Sequence, residues 1–188
     1  MSSMSTTTEQ VLLNNQQPEP AHDPLNRENP GIVETRQKPR VLFICTHNSA
    51  RSQMAEGYLR ARYGNLFEAT SAGTDVRGVH PLSIAVMAEI GIDISGHRSK
   101  LVDEYYHTRI DIVVKVCDCA DKACPFFPGV HETIHAPFPD PSDCTGPASE
   151  CIARFHEVRD AIIDWIDTSF IPEYGHSVMK PQPISLTR

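Results

Sequence analysis

Short apolar runs alternate with helical patterns through the middle of the chain. Val41 to Ile44 is a continuous apolar run, which is typical of a strand covered on both faces. Arg51 to Tyr63 follows with apolar residues at helical spacing, which predicts a helix. Phe67 to Ala72 predicts a second strand, and Pro81 to Ile90 predicts a second helix with proline in its first turn.

The same alternation continues toward the C-terminus. Asp111 to Val116 is rich in β-branched residues and predicts a third strand, and His131 to His135 predicts a weaker fourth. Apolar residues at helical spacing from Ile152 to Ile166 predict a closing helix. Strands that alternate with helices form parallel sheets with helices on both faces. We therefore predict an α/β fold, a single three-layer domain with a four-stranded parallel sheet.

The two ends of the chain differ in composition from its middle. Residues 1–40 are polar and rich in Gln, Asn, Pro and Glu, which predicts a flexible leader. Residues 41–168 form the predicted domain, and residues 169–188, with three prolines, a loose tail. The leader lacks a secretory apolar segment and no stretch approaches the ~20 apolar residues of a membrane span, so we predict a cytoplasmic protein. The net charge of −7 argues against a nucleic-acid partner.

A cysteine at the end of the first predicted strand is followed, six positions later, by an arginine that opens the helix. The residues between Cys45 and Arg51 can curl so that their backbone N–H groups point inward at an anion, and the guanidinium can bind two of its oxygens. A helix N-terminus and a guanidinium both favour the thiolate form of cysteine. We predict that Cys45 is a nucleophile beneath an anion site formed by Thr46, His47, Asn48, Ser49, Ala50, Arg51 and Ser52.

A second group of cysteines, Cys117, Cys119 and Cys124, follows the third predicted strand. Because the carboxyl ends of parallel strands meet at one edge of the sheet, we expect this group and Cys45 to open on the same edge. One interpretation is a zinc site, completed by His131, His135 or Cys144. The spacing lacks the paired ligands typical of zinc knuckles, so we favour redox chemistry and predict neither a metal nor a cofactor.

A carboxylate lies on a proline-rich segment after the fourth predicted strand. Asp140 is flanked by Pro139 and Pro141 and, taken alone, is an ordinary turn residue. Beside a cysteine-containing anion loop it becomes a candidate general acid, since an oxygen that leaves an oxyanion centre needs a proton.

Between residues 40 and 167 the chain resembles the thioredoxin-coupled arsenate reductases, a redox branch of the low-molecular-weight tyrosine phosphatase fold. Cys45 to Ser52 is similar to the anion loop of this family, and Asp140-Pro141 to its general-acid loop. Ser71 to Gly73 and Gly91 to Ser95 match its second-strand and post-helix motifs. Cys117 and Cys124 match its relay cysteines.

The resemblance implies a mechanism for arsenate reduction. Cys45 attacks arsenate while Asp140 protonates the leaving oxygen. Cys117 then attacks Cys45 and arsenite leaves, and Cys124 attacks Cys117 to move the disulfide to a more exposed pair. The implied partners are arsenate and a reductant, either thioredoxin or the glutaredoxin and glutathione system.

Some residues depart from the family pattern. Ala50 stands where relatives often carry a second cysteine, and His47 replaces a small residue, where we expect it to line the mouth of the site. Cys119 is an additional cysteine. With Cys117 it forms a Cys-x-Cys sequence similar to that of a glutaredoxin-linked cyanobacterial variant of the family, so Cys119 is the alternative resolving thiol. Cys144 and Cys151 flank the start of the last helix, and we expect them to be spectators.

A further departure concerns a cation site. Some relatives bind potassium through residues that match Asn48, Glu56 and Ser71, together with an aspartate whose position Lys100 takes here. We predict that the Lys100 ammonium replaces the bound cation. The alternative is that Lys100 is an ordinary exposed lysine.

Two other functions remain as alternatives. The first is a phosphatase that uses Cys45 as nucleophile and Asp140 as acid, although such an enzyme needs no resolving thiol. The second is a zinc- or arsenic-binding module that uses Cys117, Cys119 and Cys124 as ligands.

Overall fold

A computed structural model of the chain describes residues 37–117, 127 and 129–176. Four strands alternate with three α-helices and two short 3₁₀-helices. The strands are β1 (Arg40–Cys45), β2 (Glu68–Gly73), β3 (Ile112–Lys115) and β4 (Glu132–His135). The α-helices are α1 (Arg51–Tyr63), α2 (Pro81–Glu89) and α3 (Ala148–Trp165), and the 3₁₀-helices span Val102–Tyr105 and Pro141–Asp143. The predicted elements are therefore all present, and the bounds of α1 agree with the prediction.

The four strands form one parallel sheet in the order β2-β1-β3-β4. Because β1 lies in the centre, its carboxyl end is next to those of β2 and β3. Cys45 pairs with Gly73 of β2, and Ile44 pairs with Lys115 of β3. This arrangement confirms the predicted single α/β domain with a four-stranded parallel sheet.

Helical segments cover the two faces of the sheet unequally. The face that carries Val41 and Phe43 packs against buried residues of α1, α2 and α3 in one large cluster. The opposite face, with Leu42 and Ile44, packs against Val102 of the first 3₁₀-helix in a smaller cluster. Alternate residues of β1 thus face different layers, and its continuous apolar run follows from burial on both sides.

The C-terminal segment differs from the prediction. Residues 169–176 do not form a loose tail, because α3 continues as a π-helical segment at Ile166–Gly175. Phe170 in this segment is buried against Phe67, with ring centroids 5.4 Å apart. Asp167 accepts hydrogen bonds from the hydroxyls of Tyr58 and Tyr63 in α1, at 2.7 and 2.9 Å. Burial and the neighbouring Asp167 carboxylate raise the pKa of Tyr58.

The predicted leader and most of the predicted tail lie outside the described residues, as do Cys119 and Cys124. Arg40, the last residue of the predicted leader, is the first residue of β1. In the described part of the chain, no helix is both long and apolar enough to cross a membrane.

Two cysteines predicted to be spectators form a disulfide. Cys144 and Cys151 are bridged, with their Cα atoms 5.4 Å apart. The prediction missed this pair because their spacing alone does not distinguish a bridge from two independent thiols.

Candidate active site

The predicted nucleophile lies at the carboxyl end of the central strand, where the chain turns into α1. The Cys45 Sγ accepts a hydrogen bond from the Asn48 backbone N–H at 3.2 Å and lies 2.9 Å from the Ser52 Oγ. Because Ser52 Oγ already accepts from the Asn48 side-chain amide at 2.9 Å, its own hydrogen can point at the sulfur. Two hydrogen-bond donors can therefore be directed at this one sulfur.

Asn48 holds the anion loop in shape. It is fully buried and has a positive φ of 46°, a conformation that asparagine tolerates better than most residues. Its side-chain amide donates to Ser71 Oγ at 2.8 Å, and its Oδ1 accepts from the Lys100 backbone N–H at 2.7 Å. The loop also lies against Gly73, where a Cβ atom would come within 2.8 Å of the Asn48 nitrogen. The side-chain amide and the glycine at the end of β2 together hold the backbone in place.

The structure brings Arg51 and Asp140 together across 89 positions of sequence. Arg51 is 5% exposed, and its Nη2 forms a close ion pair with Asp140 Oδ2. Its Nη1 donates to the carbonyl of Phe138 at 3.0 Å. Asp140 Oδ1 accepts from the Ser142 N–H at 3.0 Å and so caps the second 3₁₀-helix. The carboxylate is therefore aimed at the guanidinium that opens α1.

The other residues of the predicted anion loop lie around this centre. Ser49 and Ala50 are buried, and the Ser49 carbonyl accepts from the His80 N–H at 2.9 Å. His47 lies at the rim, where its Nδ1 is 3.0 Å from the carbonyl oxygen of Asp75. Thr46 is half-buried, and its carbonyl accepts from the Asp75 N–H at 2.9 Å.

Cys117 lies beside the nucleophile strand. It is 2% exposed, and its Sγ is 4.0 Å from the carbonyl oxygen of Ile44, the residue before Cys45. The Val116 N–H donates to the same carbonyl at 2.9 Å, which extends the pairing of β1 with β3. The predicted common edge for the two thiols is therefore present.

The four residues of the predicted cation site form one buried cluster. Lys100 is 8% exposed, and its Nζ lies 3.1 Å from Glu56 Oε2. The Ser71 hydroxyl donates to the same Glu56 oxygen at 2.5 Å and accepts from the Asn48 amide. The alternative of an exposed surface lysine is therefore wrong, because the ammonium is held against a buried carboxylate.

The residues that form the sheet and the site match one known family. A profile described as low molecular weight phosphotyrosine protein phosphatase matches residues 40–167. An arsenate reductase from Staphylococcus epidermidis is 43% identical over 125 residues, which cover 66% of this chain and 91% of that protein. The chain belongs to the arsenate reductase branch of this phosphatase family.

Solved structures of family members are similar to the described fold. An arsenate reductase in the reduced state aligns with a TM-score of 0.61 and 30% identity, covering 72% of this chain and 98% of that one. A thioredoxin-dependent arsenate reductase from Corynebacterium glutamicum aligns with a TM-score of 0.53 and 28% identity, covering 77% of this chain and 64% of that one. The resemblance inferred from the motifs is thus confirmed.

A chain of polar side chains that the sequence did not predict lies behind the anion loop. Gln53 Nε2 donates to the Asn48 carbonyl at 3.1 Å, and Gln53 Oε1 lies 2.9 Å from Nδ1 of His97. Because an amide oxygen only accepts, Nδ1 carries the ring hydrogen of neutral His97. Nε2 of the His97 ring then accepts a hydrogen bond from Arg60 Nη1 at 3.3 Å. Gln53 looked like an ordinary polar residue of α1, and no local signal marked it.

His97 should make stability depend on pH. Burial lowers its pKa, as do the charges of Arg60 and Lys100, while Glu56 and Asp93 oppose them. The folded protein therefore binds this proton more weakly than the unfolded chain. Stability is fully present above the unfolded pKa of about 6.5 and is lost as pH falls through the lower folded pKa.

We expect the melting temperature of His97→Asn to depend less on pH than that of the parent between pH 7.5 and 5.5. His80, whose pKa burial also lowers, leaves part of the dependence in place. Thermal unfolding at several pH values measures the effect, and the exposed His131→Asn is the control. Identical pH profiles for His97→Asn and the parent would contradict this role.

A zinc site formed only by described residues is absent. The described part of the chain contains no group of three or more metal-ligating side chains in reach of one ion. Cys144, one candidate for completing such a site, is held in the bridge to Cys151.

Proposed function

We propose that this protein reduces arsenate to arsenite through the Cys45 thiolate and a disulfide relay, with thioredoxin or glutaredoxin as the regenerating reductant. The observation that carries the proposal is one constellation at the carboxyl edge of the sheet. There, the Asn48 N–H and the Ser52 hydroxyl lie against the Cys45 sulfur, the Arg51 and Asp140 side chains meet beside the anion loop, and Cys117 lies against β1. The arsenate reductases among its relatives supply the substrate class.

In the first step, the Cys45 thiolate attacks the arsenic atom. An As–S bond forms, an As–O bond breaks, and Asp140 gives a proton to the leaving oxygen, which departs as water. Arg51 and the loop N–H groups hold the remaining oxygens. The proximity of Asp140 to Arg51 supports this assignment, because it places the carboxyl group next to the group that binds the anion. When the anion replaces Asp140 as the partner of Arg51, the carboxyl group can carry the proton that it gives to the leaving oxygen.

In the second step, the Cys117 thiolate attacks Cys45 Sγ. A disulfide forms, the S–As bond breaks, and its electron pair stays on arsenic, which leaves as arsenite. A third thiol then attacks Cys117 and releases Cys45 as a thiolate, and an external dithiol reduces the resulting disulfide with two electrons. The location of Cys117 beside Ile44 supports its role as the first resolving thiol.

Cys124 is the proposed final resolving thiol, and Cys119 is the alternative. Both lie outside the described residues, so the choice rests on the resemblance. Peptide mapping after a single turnover tests it. A Cys117–Cys124 link is expected, and a dominant Cys117–Cys119 link would assign the role to Cys119.

The relay requires a compartment that supplies reduced dithiols, and we therefore propose a cytoplasmic location. A relative named as thioredoxin-dependent supports thioredoxin as the reductant. The deciding experiment compares arsenate turnover with thioredoxin and, separately, with glutathione plus glutaredoxin. Lack of turnover with both reductants would contradict the relay.

The second candidate function is hydrolysis of phosphate monoesters. It is favoured by the family description and by the same loop and acid, since phosphate and arsenate have nearly the same shape. We propose it as a residual activity, because the nearby Cys117 has no role in a phosphatase cycle. A higher kcat/KM for aryl phosphates than for arsenate with reductant would reverse this assignment.

Asp140→Asn should slow the first chemical step by ~10²–10⁴-fold, because an amide is nearly isosteric with the carboxyl group but gives up no proton as an acid. Anion binding should stay close to normal. Single-turnover kinetics with arsenate measure the effect. Asp143→Asn, which alters an exposed carboxylate of the same 3₁₀-helix, is the matched control. An unchanged single-turnover rate for Asp140→Asn would remove this residue from the mechanism.

We expect activity to be the same in potassium and in sodium, because the Lys100 ammonium already supplies a cation beside Glu56. Lys100→Asp should create potassium dependence. Kinetics at matched ionic strength test this, since screening alone weakens anion binding. The exposed Lys38→Asp is the control for a change of two charge units. Clear activation of the parent by potassium over sodium would contradict the tethered cation.

A further inference from the structure

The disulfide between Cys144 and Cys151 joins the loop that carries Asp140 to the start of α3. Cys144 directly follows the 3₁₀-helix Pro141–Asp143, and Cys151 lies in the first turn of α3. The bridge therefore ties the proposed acid loop covalently to a long helix. The mechanism proposed above uses neither of these two cysteines.

The connection between Cys144 and Asp140 is short and stiff. Asp140 caps the 3₁₀-helix through the Ser142 N–H at 3.0 Å. The Asp143 N–H donates to the Asp140 carbonyl at 3.4 Å, and the ring of buried Pro141 restricts its φ. A displacement of Cys144 is therefore transmitted through one turn to the carboxylate that pairs with Arg51.

The segment inside the bridge lies at the surface, where hydrogen bonds from the Glu150 and Cys151 N–H groups to the Pro147 carbonyl begin α3. Residues 145–150 are all exposed. The N-terminus of α3 follows Pro147 and has no side-chain cap. Cross-linking a segment of this kind removes conformational freedom that its other contacts do not restrict.

The bridge is also within reach of solvent. Cys144 and Asp140 line one open depression of about 660 Å³, together with Glu150 and Arg154 of α3. Both bridged cysteines are half-buried and flanked by exposed residues. Disulfides in reducing compartments are usually transient, and those that thiols can reach respond to the redox state of the solution.

We propose, on the basis of the acid role proposed for Asp140, that the Cys144–Cys151 pair is a redox-sensitive tether that positions this acid. A thiolate of an external dithiol attacks one sulfur of the bridge, which breaks the S–S bond and forms a mixed disulfide. The second thiol of the reagent displaces the protein sulfur, so that two protein thiols and one oxidised dithiol result from two electrons. A small-molecule disulfide such as oxidised glutathione restores the bridge and is itself reduced to two thiols.

The tether should affect only the step that needs the acid. Loosening the loop misplaces the Asp140 carboxyl group, and we expect a rate of arsenic adduct formation about tenfold lower in the unbridged enzyme, since small misplacements have large effects on rate. Arsenate affinity should change little, because the anion loop connects β1 to α1 and is not part of the 3₁₀-helix that adjoins the bridge.

The test is single-turnover arsenite release by protein in which Cys119 and Cys124 are serine, so that Cys45 and Cys117 complete one cycle. One sample of the protein is treated with glutathione disulfide in the presence of phosphate, which oxidises the bridge. A second sample is treated with dithiothreitol, which reduces the bridge, and both samples are then desalted. Alkylation and mass spectrometry verify the state of the bridge. The double variant Cys144→Ser with Cys151→Ser should match the reduced enzyme after either treatment, which controls for effects of the reagents on Cys45 and Cys117.

Asp140→Asn separates positioning from a general loss of structure. In this variant, breaking the bridge should change the rate less than twofold, whereas general destabilisation would slow it as in the parent. Hydrogen exchange adds a readout independent of activity: amides of residues 142–146 should exchange faster when the bridge is reduced. Unchanged exchange, or equal rates for bridged and unbridged enzyme, would overturn the tether.

The two proposals fail in different ways. If Asp140→Asn has no effect on the bridged enzyme, the acid role itself is wrong. If Asp140→Asn slows the enzyme and the bridge does not matter, only the tether is wrong. Protein prepared without reductant that carries free thiols at both Cys144 and Cys151 after treatment with glutathione disulfide would also overturn the tether.

Discussion

Cys45→Ser is expected to abolish both arsenate reduction and hydrolysis of phosphate esters. The Cys45 sulfur is the atom on which the Asn48 N–H and Ser52 Oγ converge, and a serine hydroxyl in its place does not ionise at neutral pH. Arsenite release with excess reductant and hydrolysis of an aryl phosphate are the two measurements. Reduction at a tenth of the parent rate or more would show that another group is the nucleophile.

A control shows that the serine variant still has its anion site. Ser52, Asn48 and Arg51 keep their partners when one sulfur is replaced by oxygen, so inorganic phosphate should still raise the melting temperature of the variant. Loss of this stabilisation would mean that the substitution disrupts the loop, and the kinetic result would then say nothing about the nucleophile.

Cys117→Ser and Cys124→Ser are expected to lose multiple turnover of arsenate while hydrolysis of phosphate esters survives. Cys117 contacts the carbonyl of Ile44, whereas the donors of the anion loop converge on Cys45, so the two functions are separable. Cys117→Ser should accumulate the arsenic adduct, and Cys124→Ser should stop after one turnover with a Cys45–Cys117 disulfide.

Steady-state arsenite release, aryl phosphate hydrolysis and mass spectrometry of the trapped protein distinguish these outcomes. Cys119→Ser is the matched control, a neighbouring thiol that should keep multiple turnover if Cys124 resolves the disulfide. Equal loss of both activities in Cys117→Ser would mean that this residue supports the structure of the site and not the relay.

Some features could be predicted because their signals are local. The apolar run before Cys45 predicts β1, the spacing after Arg51 predicts α1, and alternating strands and helices predict the parallel sheet. In such a sheet the carboxyl ends of neighbouring strands meet, which is why Cys117 could be expected beside the strand of Cys45. Each of these inferences uses only residues within one element or the order of elements.

Other features required the folded chain. Polar residues such as Gln53 and His97 look like surface residues in a linear pattern, yet Gln53 is buried, His97 is half-buried, and the two form a chain of hydrogen bonds behind Asn48. Phe170 follows a helix that the sequence predicted to end, and its packing against Phe67 became evident only when the segment after α3 was placed beside the residue that precedes β2. A short apolar segment near a proline does not reveal which distant residue will cover it.

The sequence by itself determined the nucleophile loop, the order of strands and helices along the chain, and the family to which the chain belongs. These features depend on contiguous residues and their spacing. Only the tertiary structure decided that Asp140 pairs with Arg51, that Lys100 lies against Glu56, and that a disulfide ties the acid loop to α3. The first two pairs bring together residues 89 and 44 positions apart. The bridge spans only seven positions, but a turn and the start of a helix must first place its two Cα atoms 5.4 Å apart.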